Sequence, residues 1–489
     1  MQKDKVSYFP HHFWWLLGAA LVIYLQQAWV PGFFQDGYLY AALGKHAASQ
    51  GHWLVNHLTD ATYAEFFHHT PFVFILEGLF FKVFGASYLS ARIFSALFPL
   101  VTMIVLYKWI KKEKGEVTAF LVCLFFVFLP PVMKKVRFPG MDMPLMLFTL
   151  ASIMFYYRAY VENLKKYWLG CGIFFGLALL TKGPMALFIP LAILIHLLWT
   201  RKLRLLANIT PWGSLLLGLM IFSLWPLSLK LTGQFAIFEK YFYFTFVHTV
   251  AEGRGVSEFT FFQCLVFLIK QTAPWLILTF FSIYLALKVR PQDHLLKLFI
   301  SLWVAVFVPL SLVKFKYSHY MMPIYPAYAY LAAYPISFLS NMAIKKIYQG
   351  FVYGTAIIAL VLLIFPMTTE IRRDPEIFEI RKLIDLMPIR PNTWGIVNDI
   401  YPYWALTNLN AFHDHANTHG LTTESLLSTV EQSDGKNWIF LIPSSVYQDH
   451  FNLLDVKLKK LIYFEKQDMI VAIERSVFDD NLMFIKKRR

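Results

Sequence analysis

The chain is short of charge, of glycine and of cysteine. Only 15% of its 489 residues are Asp, Glu, Lys or Arg, against about 25% in a typical soluble domain. That deficit, beside 57% hydrophobic and 18% aromatic residues, excludes a large soluble enzyme and excludes disorder. Glycine (23) is outnumbered by phenylalanine (48), which excludes a fibrous or low-complexity chain. The three cysteines, Cys123, Cys171 and Cys264, each sit inside an apolar run. They are too few for a disulfide scaffold and read as small buried hydrophobes. Also missing are a glycine-rich phosphate loop, a zinc-spaced Cys/His set and a serine nucleophile elbow. No internal repeat or inverted duplication is visible.

What the chain does have is apolar runs. They fall at about 13–30, 71–84, 88–110, 117–131, 143–159, 168–180, 184–199, 211–229, 261–287, 295–313, 322–340 and 348–366. A membrane span needs about 20 such residues. The expected class is a polytopic α-helical membrane protein with about 11–13 transmembrane helices. The first run reads as an uncleaved span, since no small-residue cleavage site follows it. Residues 31–70 form a long polar loop with Asp36, Asp60, Glu65 and five histidines, and loops of that length are usually functional. Beyond Met367 charge becomes frequent. Helices at 376–387 and 422–432 and strands at 394–397, 438–442, 461–464 and 469–473 predict a small soluble α/β domain. The expected division is a membrane part over 1–366 and a C-terminal domain over 367–489.

The net charge of +15 marks cytoplasmic loops and anionic lipid rather than nucleic acid. Basic clusters at Lys111–Lys114, Lys165–Lys166, Arg201–Arg204, Lys288–Arg290 and Lys345–Lys346 should share the cytoplasmic side. With the N-terminus inside, they do so when the 71–84 run does not span, and about eleven spans remain. Asp36, His69, Asp142, Lys314 and His319 then all fall on the external side with the C-terminal domain.

Few polar residues are available for chemistry. Asp36, at the membrane face in Gly-Phe-Phe-Gln-Asp-Gly, can act as a general base on an acceptor hydroxyl. It equally suits the cap of a helix starting at Gly37. His68-His69-Thr70-Pro71 puts two imidazoles at a helix start, which favours an anion. The pair can also ligate a divalent metal with Asp36 or Glu65, or simply lie at the interface. Asp142 opens a span, with Lys134 and Arg137 as nearby partners, and reads as reactive or as an ion-paired N-cap. Arg137 suits a lipid phosphate. Lys182 is an unpaired charge near membrane depth, functional by default or snorkelling. Lys314, Lys316, His319 and Tyr320 crowd the external start of a later span and are fit to hold a phosphodiester leaving group.

These pieces occur in an order that resembles the GT-C membrane glycosyltransferases, in particular the bacterial group related to protein O-mannosyltransferases and lipid A aminoarabinose transferases. The carrying residues are Asp36; His69-Thr70-Pro71-Phe72 with 79–85 and 91–98; Asp142-Met143-Pro144-Leu145; Leu180-Thr181-Lys182-Gly183-Pro184; Pro274-Trp275; and Lys314 with His319-Tyr320 and Pro323-Ile324-Tyr325-Pro326. The match covers roughly 10–340. The resemblance implies a sugar donor linked to a polyprenyl phosphate, used at the periplasmic face of the bacterial inner membrane with inversion. It implies that Asp36 is base or orienting group, that Asp142 takes the place of a second essential Asp, and that His69, Lys314 and Arg137 hold the donor phosphate. The acceptor is lipid A, another glycan or a protein. Many relatives carry an acidic residue after the first Asp, where this chain has Gly37. Others carry Lys before the Pro, where this chain has His69-Thr70. The residues fix no cofactor; a divalent metal is the candidate, with His68, His69 and Asp36 as the ligands available to it. Two other readings share the membrane and phosphate features: a transporter or flippase of lipid-linked saccharides, and a non-catalytic envelope-assembly protein.

Overall fold

Apolar runs in a chain with so little charge must satisfy their backbone groups internally, which in a membrane means helix. The computed structural model describes residues 12–33, 36–59, 63–248, 261–313, 318–339, 341–365, 386–387, 393–398, 411–412, 417–432, 438–465 and 468–479. Lys314 and nearly all of the helix expected over 376–387 lie outside them. The chain divides into two units. The first comprises Met1–Ala28, Phe67–Val73 and Leu89–Met367; the second comprises Trp29–Phe66, Phe74–Tyr88 and Thr368–Arg489.

The first unit is helical. It holds α1 (His12–Leu25), α4 (Tyr88–Lys114), α5 (Glu116–Val127), α6 (Pro130–Lys135), α7 (Asp142–Glu162), α8 (Lys165–Lys182), α9 (Phe188–Trp199) and α10 (Ile209–Leu231). Further helices follow at Phe261–Tyr284, His294–Leu312, Tyr325–Ala333 and Asn341–Ile364. One apolar cluster, running from Leu16 to Leu362, fills its interior, with Cys123 and Cys171 buried in it as expected.

Five segments among the described residues are long and apolar enough to cross a membrane, and four shorter apolar helices accompany them. That count covers the described residues alone and merges two of the expected runs. The stretch Lys165–Trp199 qualifies as one span by length and composition. Yet Trp168 and His196 both pack on Tyr156, with ring centroids 5.7 and 5.6 Å away. In a continuous helix those two residues would stand about 42 Å apart. The chain therefore doubles back at Gly183, whose φ of 50° suits glycine. The 71–84 run forms α3 (Phe72–Phe84), whose 13 residues reach only about 20 Å, short of a bilayer core.

Charges sort to the two ends of the helical unit. Lys111 pairs with Glu116, Lys112 with Glu162, and Lys114 with Asp293, at 2.6 to 2.7 Å. Asp293 also accepts from the Tyr334 hydroxyl and caps the following helix through the Leu296 amide. Burial opposes its charge, but Lys114 and these donors outweigh it and hold its carboxyl below the usual range. Basic clusters distant in sequence thus meet at one end. Asp142 and Glu162 are the first and last residues of α7, about 30 Å apart, so Asp142 stands at the other.

The second unit contains α2 (Asp36–Gln50), most of α3 and a five-stranded sheet. The strands are β1 (Thr393–Val397), β2 (Asn417–Leu421), β3 (Trp438–Pro443), β4 (Leu458–Phe464) and β5 (Met469–Glu474), in the order β2-β1-β3-β5-β4. β1 runs parallel to β2 and β3, whereas β5 is antiparallel to β3 and β4. The four expected strands and the helix at Thr423–Gln432 are present. The pattern did not show β2, whose Asn-Thr-His-Gly-Leu lacks an apolar alternation, nor the short helices Ser444–Asp449 and Phe451–Lys457.

Candidate functional site

In the helical unit, four of the residues singled out from the sequence come together at the end away from the basic clusters. Asp142 is the first residue of α7, Lys182 the last of α8, and His319 and Tyr320 lie on the short 3-10 turn Ser318–Ile324. Lys182 Nζ donates to Asp142 Oδ1 at 2.5 Å. The other carboxylate oxygen is 4.0 Å from His319 Nε2. The Lys182 ammonium sits over the Tyr320 ring, 4.7 Å from its centroid, and the Tyr320 and His319 rings meet edge to face at 5.0 Å.

Two readings of the sequence are corrected here. Lys182 is not an unpaired charge: the end of α8 brings it onto Asp142, forty residues earlier. Asp142 is paired with neither Arg137 nor Lys134, and it is no N-cap, since the cap position is Met141. Lys134 donates to Gln271 Oε1 at 3.3 Å, and Arg137 Nη1 to the Gln26 carbonyl at 2.6 Å. Arg137 is thereby anchored to the end of α1 rather than to the carboxylate.

Burial pushes the His319 imidazole down to about 4; Lys182 and Lys135 push the same way and Asp142 opposes. At neutral pH the imidazole is therefore uncharged. Lys135 escaped notice in the sequence, where a lysine pair after a proline looks like any loop. Its signal was its place beside Lys134 and Arg137 on the side where cations are scarce.

The segment before α3 is tied to the same helical unit. The Thr70 hydroxyl donates to the Leu180 carbonyl, two residues before Lys182. The His68 ring stacks on Phe244 at 4.3 Å and 16°, and Phe244 stacks in turn on His248 at 5.4 Å. His69 is half-buried in this segment. Among the described residues, no group of three or more His, Cys, Asp or Glu side chains is arranged to hold a metal ion. His68 has one ring face engaged by Phe244.

In the second unit Asp36 is the first residue of α2 and is half-buried, one position earlier than the helix start read from Gly37. Further along α2, Lys45 Nζ donates to the Phe412 carbonyl at 2.5 Å. His46 is fully buried, with Nδ1 3.0 Å from the His57 carbonyl and Nε2 2.9 Å from that of Ala411. Two consecutive residues of α2 thus grip two consecutive backbone carbonyls.

The family described as dolichyl-phosphate-mannose-protein mannosyltransferase matches residues 68–226, a stretch that includes His68, Asp142 and Lys182. An uncharacterised protein of Aquifex aeolicus is 25% identical over 285 residues, which is 57% of this chain and 54% of that protein. An undecaprenyl phosphate-alpha-4-amino-4-deoxy-L-arabinose arabinosyl transferase of Shewanella sediminis is 26% identical over 347 residues, 69% of this chain and 61% of that one. The chain thus spans between half and two thirds of the length of these relatives. Among solved structures, ArnT of Cupriavidus metallidurans shares the fold. Its apo form has a TM-score of 0.76 at 16% identity over 94% of this chain and 97% of that one. Its form bound to undecaprenyl phosphate has 0.75 over 95% and 98%. The mannosyltransferase model, the arabinosyl transferase relative and the shared ArnT fold agree with the resemblance that the short motifs carry.

Proposed function

We propose that the chain is an integral membrane glycosyltransferase that takes a sugar from a polyprenyl-phosphate-linked donor and passes it, with inversion, to an acceptor at the periplasmic face of a bacterial inner membrane. The acceptor is a lipid A, glycan or protein group. The transferase part is residues 1–366, with the long loop of about 31–70, and the domain of 367–489 lies on the same external side. The named relatives and the solved fold support the donor class.

The observation that carries this reading is the Asp142–Lys182–His319–Tyr320 constellation at the end of the helices opposite the basic clusters. It supplies a preorganised polar site where an otherwise apolar protein meets the headgroup region. In the reaction, the Asp36 carboxylate takes or orients the acceptor proton. The acceptor oxygen attacks the anomeric carbon in line, and the bond from that carbon to the phosphate oxygen breaks with its electron pair leaving on the phosphate. His69, Arg137 and Lys314 stabilise the departing polyprenyl phosphate. Asp142 holds Lys182 and His319 in place for it, and Tyr320 forms the face beneath the ammonium.

The test is release of free polyprenyl phosphate from a labelled lipid-linked sugar. Asp36→Asn should abolish release while the protein keeps its thermal midpoint. Full activity in that variant, or movement of intact donor across the membrane without release, refutes the transferase reading.

A further inference from the structure

The contact of α2 with α3 contains a group that packing alone does not call for. Glu77, on α3, is 1% exposed, and its Oε1 has no hydrogen-bond partner. Its side chain fills the space that a Cβ on Gly44 would take: Cγ and Oε2 both lie 3.0 Å from that point. The neighbouring Gly78 is closer still, with its own missing Cβ 2.8 Å from the Gly44 carbonyl oxygen. The helices therefore touch backbone to backbone at Gly44 and Gly78, and the Glu77 carboxyl is wedged at that point. Tyr40 against Phe74, with centroids 5.8 Å apart, continues the contact toward the N-terminus of α2.

The charged and titratable groups around the crossing are already engaged elsewhere. Lys45 and His46, beside Gly44, donate to backbone carbonyls. His57 stacks on His52 at 4.6 Å. Lys82, one turn along α3, sits 4.9 Å from the Trp53 ring centroid. None forms an ion pair or hydrogen bond with Glu77 among the described residues, and burial alone drives its carboxyl well above the usual range. A methionine or leucine would fill the same space without desolvating a carboxyl, so a polar group retained there marks a function rather than packing.

We propose that Glu77 is a positioning residue, which as a neutral acid sets the spacing of α2 from α3 and through α2 the placement of Asp36. Asp36 lies eight residues, about 12 Å, N-terminal of Gly44 on the same helix. A helix is stiff over that length, so a shift at Gly44 reaches Asp36. When Glu77 gives its proton to water, the carboxylate must seek solvation that the crossing does not offer. It gains it by pushing α2 away. A displacement of about 1 Å at a reacting group costs about a hundredfold in rate.

The role of Asp36 rests on the proposed transfer reaction, so the experiment reads the helix contact and the reaction separately. The full chain and Glu77→Gln are compared between about pH 5 and about pH 9, following both the thermal midpoint and the release of polyprenyl phosphate from labelled donor. The amide is isosteric and cannot ionise. The unmodified chain should lose thermal midpoint as pH rises, and kcat should fall by up to about a hundredfold with KM unchanged. Glu77→Gln should match it at the acid end and, apart from the acid slope that both proteins share through His319, should not lose midpoint or kcat as pH rises. A pH loss of kcat that persists in Glu77→Gln overturns the proposal, as does a thermal midpoint with the same pH dependence in both proteins. If neither protein releases donor phosphate at any pH while Glu77→Gln alone abolishes the midpoint's fall as pH rises, the helix spacing stands and the transferase reading falls.

Discussion

Deleting one member of the Asp142–Lys182 pair should harm the protein more than deleting both. The two groups are 2.5 Å apart, and only 9% of the Lys182 side chain and 12% of that of Asp142 are exposed. Each charge was taken out of water at considerable cost, and their attraction offsets it only while both are present. Asp142→Asn leaves an ammonium facing a neutral amide and a neutral imidazole, for a loss of about 3–5 kcal/mol. Lys182→Met leaves a carboxylate, but His319 stands 4.0 Å from its second oxygen. Without the repulsion of Lys182 that imidazole can take up a proton and serve as the counter-charge. This variant should therefore lose less, on the order of 2 kcal/mol near neutrality. The loss should shrink on acidification, because the imidazolium is stabilised in the folded state and its contribution disappears as pH rises. The double variant, apolar opposite amide, should return to within about 1 kcal/mol of the unmodified chain. Thermal midpoints of the three variants in one detergent close the cycle. A double variant whose shift equals the sum of the two single shifts would show that the residues do not act as a pair, and the reasoning would fail.

His319 supplies a second test in the unmodified protein. Its imidazole is held at about 4 by burial, whereas in an unfolded chain it titrates near 6.5. The unfolded state therefore takes up a proton that the folded state refuses, and stability falls as pH drops from about 6.5 to about 4. With 25% of the side chain exposed, the full linkage of about 3 kcal/mol is discounted to about 2 kcal/mol. His319→Gln should flatten this acid slope in thermal midpoint, and an unchanged slope would refute the assignment. A third test concerns the α8–α10 contact, where Gly172 abuts the Ser214 backbone and the missing Cβ of Gly176 is 2.9 Å from the Gly218 carbonyl oxygen. Small residues in this spacing let membrane helices approach closely. Gly172→Leu should separate them, lower the thermal midpoint by the equivalent of about 3 kcal/mol or more and shift Lys182. Gly213→Leu on α10, whose Cβ position is open, should leave the midpoint unchanged; equal loss in both would sink the packing argument.

The parts of this structure that were legible in the sequence are those whose signal is local. Helical runs, the strands around Trp394 and Ile439, and the helix at Thr423 are each written within a dozen residues. The end at which basic clusters meet was legible for another reason, since topology fixes which loops share a side once a single span is decided. The pairing of Asp142 with Lys182 was not. Lys134 and Arg137 are nearer in sequence, but α6 and the residues after it direct them to Gln271 and Gln26, and only the packing of α7 on α8 brings Lys182 across. The reversal at Gly183 was visible as a break between two runs, though a length criterion alone merges them. Glu77 was passed over as one acid inside an otherwise apolar run, and its isolation arises only once Gly44 has packed against it.

The charges at the candidate site decide what it can recognise. Lys182 and Asp142 cancel, and His319 is neutral at working pH, so the constellation as a whole carries no net charge. A cluster of that kind is rigid but cannot by itself balance a phosphodiester. Complementarity to the proposed anionic donor must come from cations outside the pair. Lys135 acts on His319 electrostatically, and Arg137 is held by the end of α1. Asp142 then has a definite part: by neutralising Lys182 it keeps a desolvated ammonium at a fixed position over Tyr320, where a donor can arrive without first displacing a hydration shell. Losing Asp142 would add one positive charge to the site, which by charge alone should favour an anion. A variant that binds the lipid phosphate more tightly yet transfers more slowly is therefore what this electrostatic reading requires, because orientation rather than attraction is what the carboxylate contributes.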